Sequence, residues 1–427
     1  MNLAYVLLVA TAFLVSQSQA GKVVCYWDGR SYHRQGAAKI VVDDIKQGLQ
    51  YCTQLNYGYA GVDDDSYNLK HLDPELVLDS GKKQYRAVTD LRKMYPGLSV
   101  HLSVGGFGDP EDMNKYLSLL EEEGSRTKFI NSVRQALTQF EFDGVDLIWR
   151  FPEPKEKKER GTLGTIWSGI KSVFKSSDEK VQEHREQFVQ LLRDLKAAIK
   201  PKQLSIGVMP HVNASDYFDV HNFINSVDLV NLWTFDFRTP KRVKAQADYA
   251  HPLYYVYDRN SYQNVDAHVK WWLEQGAPAN KLTLAIPTFG RSWKLTEESA
   301  KSGVPPLVAD GPGDEGPYTK IKGTLAYYET CTRLVDPSSK NAPSNLLRKV
   351  VDPSNRLGQY AYRIPRDGGE EGYWISYDDP AIAKIKAQYA KQKGLAGVSV
   401  VDMSMDDPRG ACDGTKFPIL QSAKVNS

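Results

Sequence analysis

Eight short apolar runs, separated by helix-like segments, restrict the possible folds more than any other feature of this sequence. They span residues 22–27, 54–62, 98–107, 142–151, 204–210, 229–237, 281–290 and 395–404. Each run is nearly continuous in apolar residues and does not alternate between apolar and polar positions. Such runs are typical of parallel β-strands that are covered on both faces. The sequence therefore predicts a parallel sheet whose two sides are both buried.

The segments between the runs show the apolar spacing of amphipathic helices. Residues 127–140 and 186–200 each place a stripe of apolar side chains on one face, and further helices are predicted at 265–276 and 381–394, each ending at a glycine. Eight strands that alternate with helices predict an α/β fold of the (β/α)8 or TIM-barrel type. In such a barrel the carboxyl ends of the strands form the functional face, so site residues are expected there.

Two long segments interrupt the alternation of strands and helices. Residues 291–375 separate the seventh and eighth runs and combine Pro- and Gly-rich turns with short β-like stretches, which predicts a small inserted α+β domain. Residues 153–184 follow the fourth run; their first part is charged, as in a solvated loop, and their middle is weakly amphipathic. That middle part is either a helix packed on the barrel rim or a helix that binds a partner. The predicted organisation is a signal peptide (1–20), a first barrel part (21–290), the insertion, and a last barrel part with the tail (376–427).

The first twenty residues have the pattern of a secretory signal peptide. An apolar stretch at residues 3–15 is too short to span a bilayer, and small residues follow at Ser18 and Ala20, after which cleavage is expected. No Lys or Arg precedes the apolar stretch, so a membrane anchor is the alternative interpretation. No second apolar segment of spanning length follows, and we expect a secreted, extracellular monomer without membrane insertion. The net charge of +2 and the lack of a long basic run argue against a nucleic-acid partner.

The four cysteines and one sequon fit an extracellular protein. An even count in a secreted chain favours two disulfides, and of three possible pairings we favour Cys25–Cys52 and Cys331–Cys412 because these partners are close in sequence. Asn213 begins the only N-x-S/T sequon, so a surface glycan is expected there. No CxxC or HxxxH spacing occurs, and neither a metal site nor a cofactor is predicted.

Several strand motifs together resemble the family-18 glycoside hydrolases, the chitinases. These motifs are SVGGF, FDGVDLIWRFP, NLWTFDF, KLTLAIPTFGRSW and the tail that begins YWISYDDP, and the resemblance extends over nearly all of the chain after residue 20. In that family the fourth strand carries DGxDxDxE. Read onto this sequence, the motif falls on Asp143, Gly144, Asp146, Ile148 and Arg150. The final glutamate is thus replaced by arginine, and the last aspartate by isoleucine.

These two replacements imply that the chemistry of the family is lost. Its enzymes use a carboxylic acid to protonate the leaving oxygen, while the acetamido oxygen of the substrate attacks the anomeric carbon. Side chains of a strand alternate, so Asp146, Ile148 and Arg150 should point together into the barrel mouth. A guanidinium stays protonated and cannot act as a general acid, and isoleucine offers no oxygen, so the protein should not be an enzyme. We expect Arg150 to pair with Asp146 or Asp236, with an anionic ligand as the alternative partner.

Other positions of the expected cleft also depart from the family pattern. Strand six reads Trp233, Thr234, Phe235, Asp236 where the enzymes have MxYD, and Val401 stands where their eighth strand presents a tryptophan to the sugar. A sugar ring stacks weakly on valine, which argues against tight binding of chitin. The resemblance still places a set of candidate ligand-binding residues near the mouth. These are Trp27, Phe107, Asp146, Trp233, Asp236, Arg291 and Trp374.

One branch of the family, the insect imaginal disc growth factors, combines a lost acid, an insertion after strand four, two disulfides and a signal peptide. Residues 147–174 and 406–420 resemble that branch, although it usually has glutamine at the position of Arg150. The resemblance implies a secreted, non-enzymatic growth factor that promotes proliferation, growth and morphogenesis through a cell-surface receptor. The alternative is a lectin that binds a chitin oligosaccharide or another glycan in cuticle organisation or wound response. An active glycosidase that uses some other acid is a third hypothesis.

Overall fold

The structure, a computed structural model, describes residues 21–109, 113–153, 178–255, 257, 259–301, 305–335, 346–365 and 371–427. The predicted signal peptide and most of the segment predicted after the fourth strand, residues 154–177, lie outside the described residues.

Eight parallel strands form a closed barrel, with strands numbered in chain order. They are β1 (Lys22–Asp28), β2 (Gln54–Val62), β4 (Ser99–Gly105), β5 (Gly144–Ile148), β6 (Gln203–Val208), β7 (Leu229–Leu232), β9 (Leu282–Pro287) and β16 (Gly397–Val401). Their order around the barrel is β1-β16-β9-β7-β6-β5-β4-β2, and pairing of β1 with β2 closes the circle. Every residue of β5 and β9 is buried, which explains why the runs are continuously apolar. The predicted parallel α/β barrel is confirmed.

Most of the helices cover the outside of the barrel. They are α1 (Val42–Leu49), α2 (Pro74–Val77), α3 (Gln84–Thr89), α4 (Asn114–Glu121), α5 (Glu123–Gln139), α6 (Val181–Ile199), α7 (Ala214–Tyr217), α8 (Val220–Phe223), α9 (Val265–Glu274), α10 (Tyr327–Cys331), α11 (Pro380–Gln392) and α12 (Pro418–Asn426). The four helices predicted from apolar spacing correspond to α5, α6, α9 and α11. Side-chain caps fix two of their starts, because Asn264 accepts from the N–H of Ala267 and Asp379 accepts from the N–H of Ile382. Among the helices in the described ranges, none combines the length and apolar character needed to cross a bilayer.

A second, antiparallel sheet is formed mainly by residues between barrel strands β9 and β16 in the chain. Its strands are β8 (Gln246–Ala247), β10 (Phe289–Leu295), β11 (Leu307–Pro312), β12 (Thr324–Ala326), β13 (Arg348–Val351), β14 (Gln359–Arg363) and β15 (Gly372–Ser376). With α10 this sheet forms the predicted α+β insertion. One strand was not anticipated: β8 comes from the loop after β7, and it joins the sheet because Ala247 pairs with Leu307. The predicted domain boundaries at residues 291 and 375 stay a prediction.

Two disulfides connect distant parts of the chain. Cys25 in β1 is bonded to Cys52 after α1, and Cys331 at the end of α10 is bonded to Cys412. Of the three possible pairings, this is the one that the sequence analysis favoured. The second bond joins the insertion to the tail that follows β16.

A short strand, β3 (Leu69–His71), lies antiparallel to β2 at residues 60–62 and was not predicted. Its three residues are too few to give a periodic pattern.

Candidate functional site

The first acid of the degenerate motif, Asp143, lies at the amino end of β5, away from the barrel mouth. One carboxylate oxygen is 2.5 Å from Nη1 of Arg92, and the other accepts a hydrogen bond of 2.8 Å from the backbone N–H of Val100 in β4. Asp143 therefore holds two neighbouring strands together where they begin. A residue at this end of the barrel contributes to stability and does not face a ligand at the mouth.

Asp146 is the centre of a hydrogen-bonded cluster inside the barrel. Its carboxylate is fully buried and accepts hydrogen bonds from side chains on four other strands. The donors are Tyr26 Oη at 2.8 Å, Ser103 Oγ at 3.2 Å, Ser205 Oγ at 2.6 Å and Asn231 Nδ2 at 3.0 Å. Burial raises the pKa of Asp146, and the hydrogen bonds act in the opposite direction. These contacts make Asp146 an acceptor that joins five strands.

Ile148 stands at the position of the last aspartate in the family motif. Its side chain is fully buried and lies between the ends of β4 and β6. A Cβ atom built on Gly207 would be 2.7 Å from Cγ1 of Ile148, and one on Gly106 would be 3.2 Å from its Cγ2. Gly106 also has a φ of 61°, which favours glycine. Two glycines thus leave room for this isoleucine, and the mouth is filled by a hydrocarbon at this point.

Arg150 reaches across to the loop after β4. Nη1 of its guanidinium donates a hydrogen bond to the backbone carbonyl of Asp109. The carboxylate of Asp109 is itself fully buried and is held by Lys115 Nζ at 3.0 Å, by the Tyr116 hydroxyl at 2.8 Å and by the N–H of Val62 at 3.1 Å. Arg150 therefore binds to a segment that is fixed from several sides.

The predicted pairing of Arg150 with Asp146 or Asp236 is wrong, because both acids have other partners. The partners described for Asp146 are neutral hydroxyl and amide groups. Asp236 instead forms a two-point ion pair with Arg291, whose Nε lies 2.7 Å from Oδ1 and whose Nη2 lies 2.5 Å from Oδ2. Such a fork geometry is the strong form of a carboxylate–arginine contact. The two candidate ligand-binding residues Asp236 and Arg291 thus bind each other.

Three of the four aromatic residues predicted to bind a ligand are core residues in this structure. Trp27, Trp233 and Trp374 are each at most 1% exposed, so none presents a ring face on which a sugar could stack. The rings of Phe107 and Phe235 each lie 5.5 Å from that of Trp233, and Trp374 stacks on Tyr360 in the second sheet. We therefore correct the prediction for the three tryptophans. Phe107 is 40% exposed and is the one aromatic residue of the predicted set that solvent reaches.

A cluster of charged groups at the ends of β1 and β16 was missed by the sequence analysis. The guanidinium of Arg30 binds both carboxylate oxygens of Asp28, at 2.9 and 2.7 Å, and the N–H of Asp28 donates to Asp402 Oδ2 at 3.3 Å. Burial raises the pKa of Asp402 to about 6, with Arg34 opposing the shift and Asp28 adding to it. Both strand ends are polar in the sequence, and this signal could have found the cluster.

Two further predictions concern the strand-eight position and the sequon. Val401 is 4% exposed and provides no ring at the mouth. Asn213 is partly exposed just before α7, where its Oδ1 accepts a hydrogen bond of 2.8 Å from Ser215 Oγ; its glycosylation stays a prediction. Within the described residues, no group of three or more His, Cys, Asp or Glu side chains could hold a metal ion.

Comparison with known proteins places these observations in a family context. The model of the glycosyl hydrolases family 18 matches residues 22–406. Bacteria-responsive protein 1 of Aedes aegypti is 47% identical, with 98% of each chain covered, and chitinase-like protein Idgf4 of Drosophila melanogaster is 45% identical, again with 98% of each covered. A solved structure of human YKL-39, described as a pseudo-chitinase with retained chitooligosaccharide binding properties, superposes with a TM-score of 0.74 at 25% identity, covering 95% of this chain and 99% of that one.

Proposed function

The chain belongs to glycosyl hydrolase family 18, and from that premise we propose that it is a secreted, non-hydrolytic growth factor. In this proposal it promotes proliferation, growth and morphogenesis of insect cells by binding a cell-surface partner. Full-length similarity to insect chitinase-like proteins supports the proposal. Human YKL-39, which has the same fold, is described as a pseudo-chitinase, and this description is consistent with a non-hydrolytic role for the barrel.

One observation carries the proposal: the position of the family's proton donor holds Arg150, and its guanidinium is bound to the carbonyl of Asp109. Arginine keeps its proton at all physiological pH values and so cannot transfer it to a leaving oxygen. Ile148 occupies the neighbouring position of the motif and offers no oxygen to orient an acetamide. The barrel fold of the enzymes is thus retained, while their proton donor and the neighbouring aspartate are replaced.

Three other described acids near the mouth, Asp146, Asp236 and Asp402, do not offer a substitute for the missing proton donor. Asp146 is fully buried among its donors, and Asp236 is bound by Arg291. Asp402 is 6% exposed and accepts hydrogen bonds from backbone N–H groups and from the Ser404 hydroxyl. A general acid must come within hydrogen-bond reach of the substrate, and these three carboxyl groups face protein atoms. These contacts argue against an active glycosidase.

We expect the purified chain to show no turnover of a fluorogenic chitobioside at any pH between about 4 and 8. General acid catalysis alone contributes roughly a hundred- to ten-thousandfold in rate, and the orienting aspartate is lost as well. Fluorescence release would be measured beside an active family-18 chitinase. Turnover that copurifies with the chain through two chromatographic steps would contradict the prediction.

A matched variant for this assay carries Arg150→Glu together with Ile148→Asp, which restores the motif. It should remain without robust turnover, because Phe235 and Val401 still differ from the enzymes and Arg150 no longer holds the loop at Asp109. Strong activity of the double variant would show that the two motif positions alone decide hydrolysis.

The growth-factor role itself is tested on cultured insect cells in medium without added growth factors. We expect the purified chain to raise the cell count in a dose-dependent and saturable way, because a receptor has a finite number of binding sites. The Arg150→Gln variant should act equally well, since the proposed signal does not pass through the position of the lost acid. Heat-denatured protein is the control, and a correctly folded preparation without effect at any concentration would contradict the proposal.

A glycan-binding protein is the second candidate function. The exposed ring of Phe107 at the mouth favours it, and so does the binding property stated for human YKL-39. The buried tryptophans and Val401 argue against it, because a sugar ring needs an accessible aromatic face. Titration calorimetry with chitin oligomers separates the two candidates: micromolar binding that Phe107→Ala abolishes would favour the lectin.

A further inference from the structure

A groove lies between α1 and α3, and most of its lining residues belong to these two helices and to the segments next to them. Its volume is about 410 Å³, within the range of sites that bind small ligands or a few side chains. Val42 lines it from α1, Ala87 lines it from α3, and Leu91 and Met94 extend the same wall. The side chain of Met94 is 57% exposed, so its apolar surface is accessible to a ligand in the groove. The groove is thus largely apolar and open to solvent.

Positive charge lies at the end of the groove where Tyr32 forms part of the wall. The ammonium groups of Lys39 and Lys82 lie 4.6 and 5.6 Å from the centre of the Tyr32 ring. Both lysines are exposed, and in the described part of the chain neither has a carboxylate within 4.0 Å. Lys46, which also lines the groove, is in contrast paired with Asp43 at 2.6 Å. Two cations therefore remain uncompensated beside an apolar floor.

We propose that this groove binds an acidic, amphipathic segment of a protein partner. Apolar side chains of the segment would pack on Val42, Leu91 and Met94, and a carboxylate would lie between Lys39 and Lys82. Methionine suits such a surface because its flexible side chain adapts to different apolar groups. Burial of the apolar side chains supplies affinity, and the charge pairing supplies orientation.

The lining favours a peptide over a polyanion. Asp43 and Asp90 also line the groove, and each is paired with a lysine, Lys46 and Lys93, at 2.6 Å. A sulfated glycan would pair with Lys39 and Lys82 but would leave the apolar floor uncovered, whereas a peptide with one acid and several apolar side chains contacts both. The inference goes beyond the proposed function and does not depend on it, because it concerns a protein contact whether or not that contact signals growth.

A display library of random 15-residue peptides, selected on the immobilised full chain, tests the proposal even when the partner has not been identified. We expect the selected peptides to share an acidic residue next to two or more apolar residues. Binding of a labelled selected peptide, followed by fluorescence polarisation, should weaken about tenfold or more when Lys39→Glu and Lys82→Glu are combined. The matched control carries Lys128→Glu and Lys391→Glu on exposed positions of α5 and α11, and it should bind as the unchanged chain does.

Charge exchange provides the second readout. A peptide whose acid is replaced by lysine should bind the Lys39→Glu, Lys82→Glu variant better than it binds the unchanged chain. The proposal is overturned if no peptide is enriched, if the enriched peptides lack an acid, or if their binding is insensitive to the groove variants. It is also overturned if the unchanged chain binds heparin or anionic vesicles and the groove variants abolish that binding. The same holds if the unchanged chain self-associates in a concentration-dependent way and the groove variants do not.

Discussion

Replacing Asp146 with alanine is expected to lower the free energy of unfolding by roughly 3–6 kcal/mol, because each buried donor left unsatisfied costs about 1–3 kcal/mol and the penalties do not add fully. Tyr26, Ser103, Ser205 and Asn231 would all lose their acceptor at once. The cavity left by the carboxylate adds to the loss. Urea denaturation followed by tryptophan fluorescence would measure the change.

Two controls separate this network from a general effect of removing an acid. Asp194→Ala removes an exposed carboxylate on α6 and should change stability by no more than about 0.5 kcal/mol. Ser103→Ala removes the longest of the four hydrogen bonds, at 3.2 Å, and should cost about 1 kcal/mol. If Asp146→Ala costs no more than Ser103→Ala, then the carboxylate does not organise the barrel interior. A large loss would mean that an acid of the enzyme motif persists here as a structural group.

A second large effect is expected from pH, through Asp406 in the tail after β16. Its buried carboxylate accepts hydrogen bonds from the N–H groups of Ile419 and Leu420 at the start of α12. Burial nevertheless raises the pKa of Asp406 to about 7, against about 3.9 for an unfolded chain. Between these two pKa values, the folded state therefore binds more protons at Asp406 than the unfolded state does. The stabilisation that results from this proton is fully present below pH 4 and is lost as the pH rises through 7. The full loss is about 4 kcal/mol.

The experiment compares the unchanged chain with Asp406→Asn, because other groups titrate in the same window. Burial lowers the pKa of His101 and His268 to about 4, so these residues give stability the opposite dependence on pH. The difference in unfolding free energy between the two proteins isolates Asp406. We expect the advantage of the unchanged chain to shrink by about 1.4 kcal/mol per pH unit at the steepest point between pH 5 and 7. Parallel curves for the two proteins would contradict the prediction.

The sequence predicted the barrel well because its signal is local and repeated. Runs such as LTLAIP in β9 are buried on both faces, and a continuous apolar pattern follows directly from that burial. Short elements were not predicted: β3 has three residues and β8 has two, and both exist because longer strands offer them a partner. Their formation depends on tertiary context, which a local pattern does not contain.

The sequence located the motif residues on the fourth strand of the barrel but predicted only some of their contacts, and ligand binding by these residues stays a prediction. Two of these residues, Asp146 and Ile148, lie in β5, and Arg150 comes two residues after its end. The alternation of side chains along a strand was enough to predict that all three lie in one region. The partner of Arg150 is a backbone carbonyl of a distant loop, which side-chain chemistry could not indicate. Trp27 stands near the end of β1 as expected, whereas Trp374 is the middle residue of β15 in the second sheet. Whether such a ring is exposed or buried depends on the packing of residues far away in sequence, and here both rings are buried.

The closure of the barrel has a consequence for biosynthesis. The strand that is translated first, β1, pairs on one side with β16, the barrel strand that is translated last. At roughly 5–20 residues per second, a ribosome needs on the order of 20–75 seconds to make the residues between them. During that interval the nascent chain carries an apolar strand with one unsatisfied edge, which is a site for misassociation. Chaperone occupancy on the emerging polypeptide should therefore persist until the final strand has left the exit tunnel.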